Sequence, residues 1–328
     1  MVAKISRLGL LFFLLGAGSL GQGQTTVTLA TGYGRGSSMA QLLERVAADV
    51  NKRSDGALTL KIFFNSSQGP EPAVVNKMKQ GQLDGAVLTG EGLKAIHAGL
   101  QVLELPFLIT SPEEAKSIHF KLAEMLTRIF GEGGFRLACW ADPGPVYIFS
   151  RDPVNDRGAF ALFRISVFAY DKPAQSFFRK YSANCLPMGE PEVLPSLQTG
   201  SINACYGTAV DAAAQQWYTK IYYAAKDPFR YRSGAVVFRA GLEQSLSPEL
   251  YARLLEAFSA AEPDFERQFM ANASSAGNMM EKAGIQFLPL NAATRADFLK
   301  TAAAVWEEKS GTLYPKEVLE TIRGVLRK

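Results

Sequence analysis

Residues 165–206 read ISVFAYDKPAQSFFRKYSANCLPMGEPEVLPSLQTGSINACY, and this stretch decides the fold class. Short strand-like runs alternate here with runs whose apolar residues recur at helical spacing. The predicted elements are a strand at Ile165–Tyr170, a helix at Pro173–Tyr181, a short strand at Leu186–Met188, a helix at Pro191–Leu197 and a strand at Ile202–Tyr206. Alternation of this kind predicts a parallel sheet covered by helices, an α/β fold.

A second unit of the same kind precedes this stretch in the chain. Its predicted elements are a strand at Thr25–Ala30, a helix at Met39–Val50, a strand at Ala57–Phe64, a helix through Val74–Met78 and a strand at Leu83–Leu88. Because a long segment separates the two units, the sequence predicts two similar lobes rather than a tandem repeat.

The segment after the second unit has a different pattern. Ser247 is suited to cap a helix that has Pro248 at its first position, and Gly284 supplies a stop. One unbroken helix over 247–283 would be about 50 Å long at 1.5 Å per residue, which exceeds the width of one lobe. Pro263 leaves a second interpretation open, in which two shorter helices meet at the proline.

Composition and charge exclude several classes of protein. The 328 residues are 47% hydrophobic and 20% charged, which is typical of a globular chain with a sizeable core. The formal charge is +4 and there is no basic run, so a nucleic acid partner is not indicated. The three cysteines at 139, 185 and 205 form no CxxC motif, which argues against a disulfide scaffold and a cysteine zinc site.

The N-terminus predicts export. Lys4 and Arg7 form a positive region ahead of the short apolar run Leu8–Leu15, and small residues follow at Gly21–Gly23. That run is too short to span about 30 Å of hydrocarbon comfortably, so residues 1–23 are predicted to be a cleaved signal peptide and the mature protein periplasmic.

Motifs that suggest catalysis fail on inspection. Gly32–Ser37 resembles a dinucleotide-binding turn, but the second predicted strand ends at Asn65 rather than at an acidic residue, so a ligand-facing turn is the better interpretation. There are only two histidines, His97 and His119, without metal-ligand spacing, and no GxSxG motif occurs. The sequence therefore predicts a protein that is not an enzyme, with no cofactor and no metal.

Several spaced motifs resemble one family. The most specific lie at Phe163–Val167, Cys185–Met188 and Glu192–Asn203, and earlier ones lie at Gly69–Gly85 and Leu105–Leu108. Together they resemble the periplasmic solute-binding proteins of tripartite ATP-independent (TRAP) transporters, of the dicarboxylate-binding type. The resemblance covers essentially the whole mature chain. It implies a two-lobed binding-protein fold, a long helix spanning both lobes, and delivery of a ligand to membrane permease subunits or another envelope protein.

The same resemblance shows which charged cleft positions have changed. Family arginines that bind a substrate carboxylate correspond to Ser166 and to Val146, and an acidic family residue corresponds to Asn203. A carboxylate ligand buried without its arginine would lose hydration without compensation. We therefore expect a neutral or largely apolar small molecule in the cleft.

The predicted ligand site combines these substituted positions with nearby aromatic residues and one arginine. Its members are Tyr33, Trp140, Val146, Tyr147, Ser166, Phe168, Tyr170, Asn203, Tyr206 and Arg230. Three alternatives stay open. Arg230 or Arg232 could hold a small organic acid in place of the family arginine, the chain could be an exported hydrolase or lyase, or it could be a structural or signalling partner whose cleft binds nothing.

The family topology also implies boundaries and cysteine positions. It places residues 24–145 with about 228–258 in lobe 1, and 146–227 with about 265–328 in lobe 2, with 247–283 spanning both. It puts Cys185 and Cys205 on strands either side of Ile165–Tyr170, about 10 Å apart and beyond disulfide reach. Free, mostly buried thiols are expected.

Overall fold

The structure, a computed structural model, describes residues 24–327. The predicted signal peptide, residues 1–23, lies outside the described residues. Helices and strands alternate through most of the described chain and form two sheets, which are the centres of two lobes. This is the two-lobed α/β architecture that the sequence predicts.

The first lobe is built on a five-stranded sheet with the order β2-β1-β3-β11-β4. β1 pairs in parallel with β2 and β3, and β11 pairs antiparallel with β3 and β4. Its elements are β1 (Thr25–Ala30), α1 (Ser38–Arg53), β2 (Leu58–Phe63), α2 (Glu71–Lys79), β3 (Gly85–Thr89), α3 (Gly90–Ile96), a 3₁₀ helix (Ala98–Glu104), α4 (Pro112–Lys121), α5 (Ala123–Glu132), β4 (Phe135–Trp140) and, returning later in the chain, β11 (Gly234–Arg239).

The second lobe is built on a seven-stranded sheet, ordered β12-β9-β5-β8-β6-β7, with β10 paired to β5. β6 pairs in parallel with β7 and β8, as a strand–helix–strand unit requires. Its elements are β5 (Gly144–Ser150), α6 (Arg157–Phe160), β6 (Arg164–Val167), α7 (Lys172–Lys180), β7 (Asn184–Pro187), α8 (Glu190–Thr199), β8 (Ala204–Thr208), α9 (Ala209–Ala214), a 3₁₀ helix (Trp217–Thr219), β9 (Tyr223–Ala225) and β10 (Arg230–Arg232).

After β11 the chain is mostly helical. It continues as a 3₁₀ helix (Ala240–Gln244), α10 (Pro248–Lys282), the short strand β12 (Gln286–Leu288), α11 (Ala292–Lys309) and α12 (Lys316–Leu326).

α10 is one helix of 35 residues, which confirms the unbroken interpretation. The hydroxyl of Ser247 accepts a hydrogen bond from the Leu250 amide at its start, and Pro263 stays inside the helix. α10 contacts α1 and β4 in the first lobe and α9 and β5 in the second. Contacts with both lobes, on either side of the proline, hold the helix together where its own hydrogen-bond ladder is interrupted.

The last two helices pack on different parts of the molecule. α11 packs on α7, beside the second sheet, whereas α12 contacts α4 and the 3₁₀ helix that precedes it. The division of the chain into lobes stays a prediction, and these contacts favour placing α12 with lobe 1 instead of lobe 2.

The three cysteines are free, with Cys139 and Cys205 buried and Cys185 partly buried. β6 lies between β7, which carries Cys185, and β8, which carries Cys205. Strand spacing of about 4.8 Å separates these two thiols by about 10 Å, beyond the reach of a disulfide. We expect thiol titration of the unfolded, unreduced protein to return three free thiols. A count of one would contradict the strand order.

Candidate functional site: the inter-lobe cleft

Two short links join the sheets. The first runs from Trp140 at the end of β4 to Gly144 at the start of β5, and the second is Ser233, between β10 and β11. The links lie side by side: a Cβ on Gly234 would stand 2.3 Å from the Ala141 carbonyl oxygen, so only glycine fits there. The Gly234 amide donates to Asp142 Oδ1 at 2.9 Å. The two links between the sheets are therefore adjacent, tightly packed segments.

The cleft lies where the carboxyl ends of parallel strands from both sheets meet. Such ends carry the loops that bind ligands in open α/β sheets. Lys94 of α3 reaches across from the first lobe and donates from Nζ to the Tyr170 carbonyl at 2.9 Å. Glu91 and Glu190, one from each lobe, are close enough for charge on Glu91 to raise the pKa of Glu190, after the larger effect of burial.

Arg230 is buried beneath the cleft with its charge already neutralised. Its side chain is 1% exposed, and Nη2 lies 2.7 Å from Asp171 Oδ2 and 3.6 Å from Glu104 Oε2. Nη1 donates to the Glu104 carbonyl at 2.8 Å, and the Tyr206 hydroxyl donates to Asp171 Oδ2 at 2.8 Å. Arg230 thus contacts side chains of both lobes and not open solvent.

Arg232 is the arginine that remains beside the cleft. It donates from Nη1 to Asp211 Oδ2 at 2.8 Å. Asp211 also accepts from the Thr208 amide at the start of α9, which fixes its carboxylate. Burial lowers the pKa of Arg232, but the charges of Asp211, Glu104 and Glu190 raise it by more. Three carboxylates therefore lie close enough to Arg232 to interact with its charge.

Aromatic residues border the cleft. Phe168 and Tyr170 stack at 5.5 Å with 15° between their planes, immediately after β6. Tyr33, after β1, packs at 6.1 Å from Phe269 of α10. Burial, followed by charge on Glu71, raises the pKa of Tyr33, so its hydroxyl stays protonated. Phe168, Tyr170 and Tyr33 are partly exposed, which leaves ring surface for a ligand.

Glu71 lies just behind this surface. It accepts hydrogen bonds from the Thr89 amide and hydroxyl and from the Gly92 amide. Burial nevertheless raises the pKa of Glu71 to about 7. This carboxyl group connects the start of α2 to the end of β3 and the start of α3.

Ser166 and Val146 are in the sheet next to the cleft. Ser166 is 5% exposed and pairs with Leu186 on β7. Val146 is fully buried between Thr208 of β8 and Arg230 of β10. Neither position holds a charge that could meet a ligand carboxylate.

Three of the predicted site residues lie elsewhere. Asn203 precedes β8, at the opposite end of that strand from Thr208, and its side chain bonds the Arg164 amide and the Leu162 carbonyl. Tyr147 packs on Phe149 and Phe287, on the face of β5 opposite to Val146. Trp140 stacks on His119 at 3.7 Å, outside the cleft.

Sequence reasoning missed the charged residues that surround the two arginines. These are Glu91, Lys94, Glu104, Asp171, Glu190 and Asp211. A signal existed for Asp171 and Asp211, since each follows closely on a predicted strand of the second unit. Strand ends of this kind are where α/β sheets place ligand-site side chains. No such local signal marks Glu104, which lies 126 residues from Arg230.

The family model for bacterial extracellular solute-binding protein, family 7, matches residues 29–311, so the chain belongs to that family. A "Solute-binding protein" of Chromohalobacter salexigens is 26% identical over 163 residues, 49% of this chain and 48% of that protein. The 2,3-diketo-L-gulonate-binding periplasmic protein YiaO of Escherichia coli is 24% identical over 241 residues, 71% of this chain and 67% of YiaO. The matched region thus spans about half of the first relative and two thirds of the second.

Solved structures show the same fold. A TRAP periplasmic solute-binding protein of Ochrobactrum anthropi superposes with a TM-score of 0.85 at 18% identity, covering 93% of this chain and 95% of that one. One from Chromohalobacter salexigens, with bound D-glucuronate, gives 0.82 at 18% identity, covering 91% and 99%. The two-lobed fold is that of the TRAP periplasmic solute-binding proteins.

Within residues 24–327, no helix combines the length and the apolar character needed to cross a membrane. The same part of the chain has no group of three or more His, Cys, Asp or Glu side chains placed to hold a metal ion.

Proposed function

We propose that this chain is the periplasmic receptor of a TRAP-type transport system and that its cleft binds a neutral or largely apolar small molecule. The receptor closes on its ligand by bending at the two links and delivers it to membrane permease subunits or another envelope protein. The observation that carries this proposal is the charge state of the cleft arginines: each already faces a carboxylate of the chain itself.

Charge balance disfavours an anion. An arginine that holds a ligand carboxylate needs two free, parallel N–H groups. Arg230 is 1% exposed, and its Nη2 faces the carboxylates of Asp171 and Glu104, so burial keeps a ligand from its Nε and Nη2 groups although neither makes an aligned hydrogen bond within the described chain. Arg232 is surrounded by Asp211, Glu104 and Glu190. A second negative charge brought by a ligand would be repelled by these carboxylates in a poorly solvated space.

The aromatic border favours an apolar or ring-bearing ligand. Phe168, Tyr170 and Tyr33 present ring faces and edges, and large aromatic side chains contribute most of the contact area in sites of this kind. Ser166 adds at most a hydroxyl that can orient a polar group. The proposed ligand is accordingly flat or apolar over most of its surface, with few polar atoms.

A small organic acid is the second candidate. Two observations favour it: Arg232 donates to Asp211 through Nη1 alone within the described chain, and the Chromohalobacter structure holds D-glucuronate. In this case one edge of the Arg232 guanidinium would take the ligand carboxylate.

Calorimetry separates the two candidates. Ligand carried through purification is first identified by native mass spectrometry and then titrated into the apo protein beside D-glucuronate. We expect the carried ligand to be uncharged and D-glucuronate to give no saturable heat. The Ser166→Arg variant, which buries an unpaired cation beside the cleft, should weaken the carried ligand at least tenfold, or about 1.4 kcal/mol.

The control variant is Ser201→Arg, on the exposed turn before β8, which should bind like the unchanged protein. Micromolar binding of D-glucuronate that Arg232→Met abolishes and Arg157→Met leaves intact would overturn the neutral-ligand proposal in favour of the acid.

A further inference from the structure

A second cavity lies on the outside of the hinge, away from the cleft. It has a volume of about 460 Å³ and lies between α4, α10, the first link and β10. Its walls include Phe120, Trp140, Tyr231, His119, Asp142 and Glu262. We call it the hinge cavity. Its size is within the range of small-molecule sites, which is roughly 300–1,000 Å³.

The hinge cavity has an aromatic wall and an aromatic mouth. Trp140 and Tyr231 are 8% and 6% exposed and form its inner surface. Phe120 is 86% exposed, the highest value among the large exposed hydrophobic residues of the described chain. A solvent-exposed phenyl ring at the edge of a cavity can pack on a flat apolar group that binds there.

The inner end of the cavity is acidic. Asp142 Oδ1 accepts from the Gly234 amide, and Glu262 Oε2 accepts from the Trp140 amide at 3.0 Å. Neither carboxylate has a lysine or arginine partner among residues 24–327. Lys116, which also lines the hinge cavity, pairs with Glu266 of the same lining at 2.6 Å instead.

His119 does not supply the missing cation. Burial lowers its pKa to about 3, so the ring is neutral at neutral pH. Its Nδ1 lies 3.7 Å from Asp142 Oδ2, and its buried Nε2 has no hydrogen-bond partner in the described chain. A buried ring nitrogen without a partner is costly, so the chain itself does not satisfy all the polar atoms of this wall.

From this arrangement we infer that the hinge cavity binds a small aromatic amine, with its ammonium group at Asp142 and Glu262 and its ring between Trp140 and Phe120. The ammonium group pairs with Glu262 and favours the ionised form of Asp142, whose carboxyl group is otherwise mostly protonated at neutral pH. The ring covers the exposed phenyl surface. This site is separate from the cleft and does not depend on the ligand proposed there. Its occupant contacts the first link, β10 and the long helix, which are elements that connect the two lobes.

The experiment uses 2-naphthylethylamine as the probe, with 2-naphthylethanol as its uncharged counterpart. Calorimetry should show saturable binding of the amine and at least tenfold weaker binding of the alcohol. In a ¹H–¹⁵N spectrum the indole N–H signal of Trp140, assigned with Trp140→Phe, should shift. The indole signals of Trp217 and Trp306, at 0% and 3% exposure, should stay in place.

Two variants test the assigned contacts with matched controls. Glu262→Gln should weaken the amine about tenfold and leave the alcohol unchanged, whereas Glu256→Gln, exposed on the same helix, should change neither. Phe120→Ala should weaken both probes, whereas Leu162→Ala, 71% exposed elsewhere, should not. Equal binding of amine and alcohol, an unmoved Trp140 signal, or indifference to Glu262→Gln would each overturn the inference. Because the cleft residues are untouched, none of these results bears on the proposed receptor function.

Discussion

Replacing Arg230 by methionine is expected to lower the free energy of unfolding by about 3–5 kcal/mol, because it leaves buried carboxylates without their cation. Asp171 and Glu104 are 4% and 8% exposed in their side chains and both face this guanidinium. Burial already raises the pKa of Glu104, and Arg230 opposes that rise. Without the arginine the two acids must either take up protons or stay charged in a medium that solvates them poorly.

A double-mutant cycle with Asp171→Asn separates this loss from simple loss of packing. Chemical denaturation of both single variants and the double variant should show a coupling energy of 1 kcal/mol or more in magnitude, on the order expected for contacting charges. Arg157→Met is the matched control: its side chain is 66% exposed and 3.6 Å from Asp297, and an exposed pair of this kind contributes about 0–1 kcal/mol. Similar losses for Arg230→Met and Arg157→Met would show that the buried network contributes little to stability.

The sequence prediction placed Arg230 in the ligand site because the sequence does not show the ion pairs that this residue makes. An arginine next to the cleft strand is a reasonable carboxylate partner, and its number and position are readable from the sequence. The sequence does not show that the Arg230 guanidinium already faces carboxylates of the chain itself. Glu104 comes from a 3₁₀ helix of the other lobe and meets Arg230 only in the folded chain. Sequence distance hides the partner that neutralises the charge.

The fold was far more predictable than the site. Strand–helix alternation and the Ser247 cap are local patterns, and they correctly predict both lobes and the start of α10. Whether Pro263 would break that helix depended on tertiary contacts with α1 and α9, which only the folded chain supplies. Strand alternation alone shows that Val146 and Tyr147 cannot both face the ligand site, because adjacent residues of β5 point to opposite faces of the sheet. One of these two predicted site residues could therefore have been excluded from the sequence.

The sequence prediction placed Trp140 in the cleft because of its aromatic side chain, without information on where that side chain lies. It ends β4, and its ring stacks on His119 of α4, on the outer side of the link. Large aromatic side chains serve cores as often as ligand sites, and nothing in the sequence states which face of a link they occupy. Trp140 nevertheless lines the hinge cavity, together with the acidic residue Asp142.

That acidic group, Asp142, is expected to make the protein less stable as the pH rises. Burial, and to a smaller extent the charges of Glu262, Glu104 and Glu266, raise its pKa to about 8, against the opposing effect of the Gly234 hydrogen bond. The unfolded chain has an ordinary aspartate pKa of about 3.9. Between these two values the folded state binds more protons than the unfolded state, so the stabilisation present below about pH 4 is lost as pH rises toward 8.

The Asp142→Asn variant tests this sign directly, because asparagine keeps an oxygen for the Gly234 amide and cannot ionise. Between pH 5 and 8 the unchanged protein should lose roughly 3–5 kcal/mol relative to Asp142→Asn, from about 1.4 kcal/mol per unit of pKa shift. Glu71, whose pKa is about 7, acts in the same direction, and His119, whose pKa is about 3, acts in the opposite one below pH 6.5. The difference between the two proteins largely cancels both contributions.

The measurement is chemical denaturation at intervals of half a pH unit, with Asp156→Asn, an exposed helix cap, as the control that should follow the unchanged protein. At pH 8 and above, Asp142→Asn should be the more stable of the two proteins, since the charged carboxylate then lies near Glu262 and the neutral His119 without a lysine or arginine partner among residues 24–327. A constant difference from pH 5 to 8 would show that Asp142 is ionised throughout that range. The hinge would then already hold a charge that the surrounding residues stabilise, and the role of Asp142 would be limited to its hydrogen bond with Gly234.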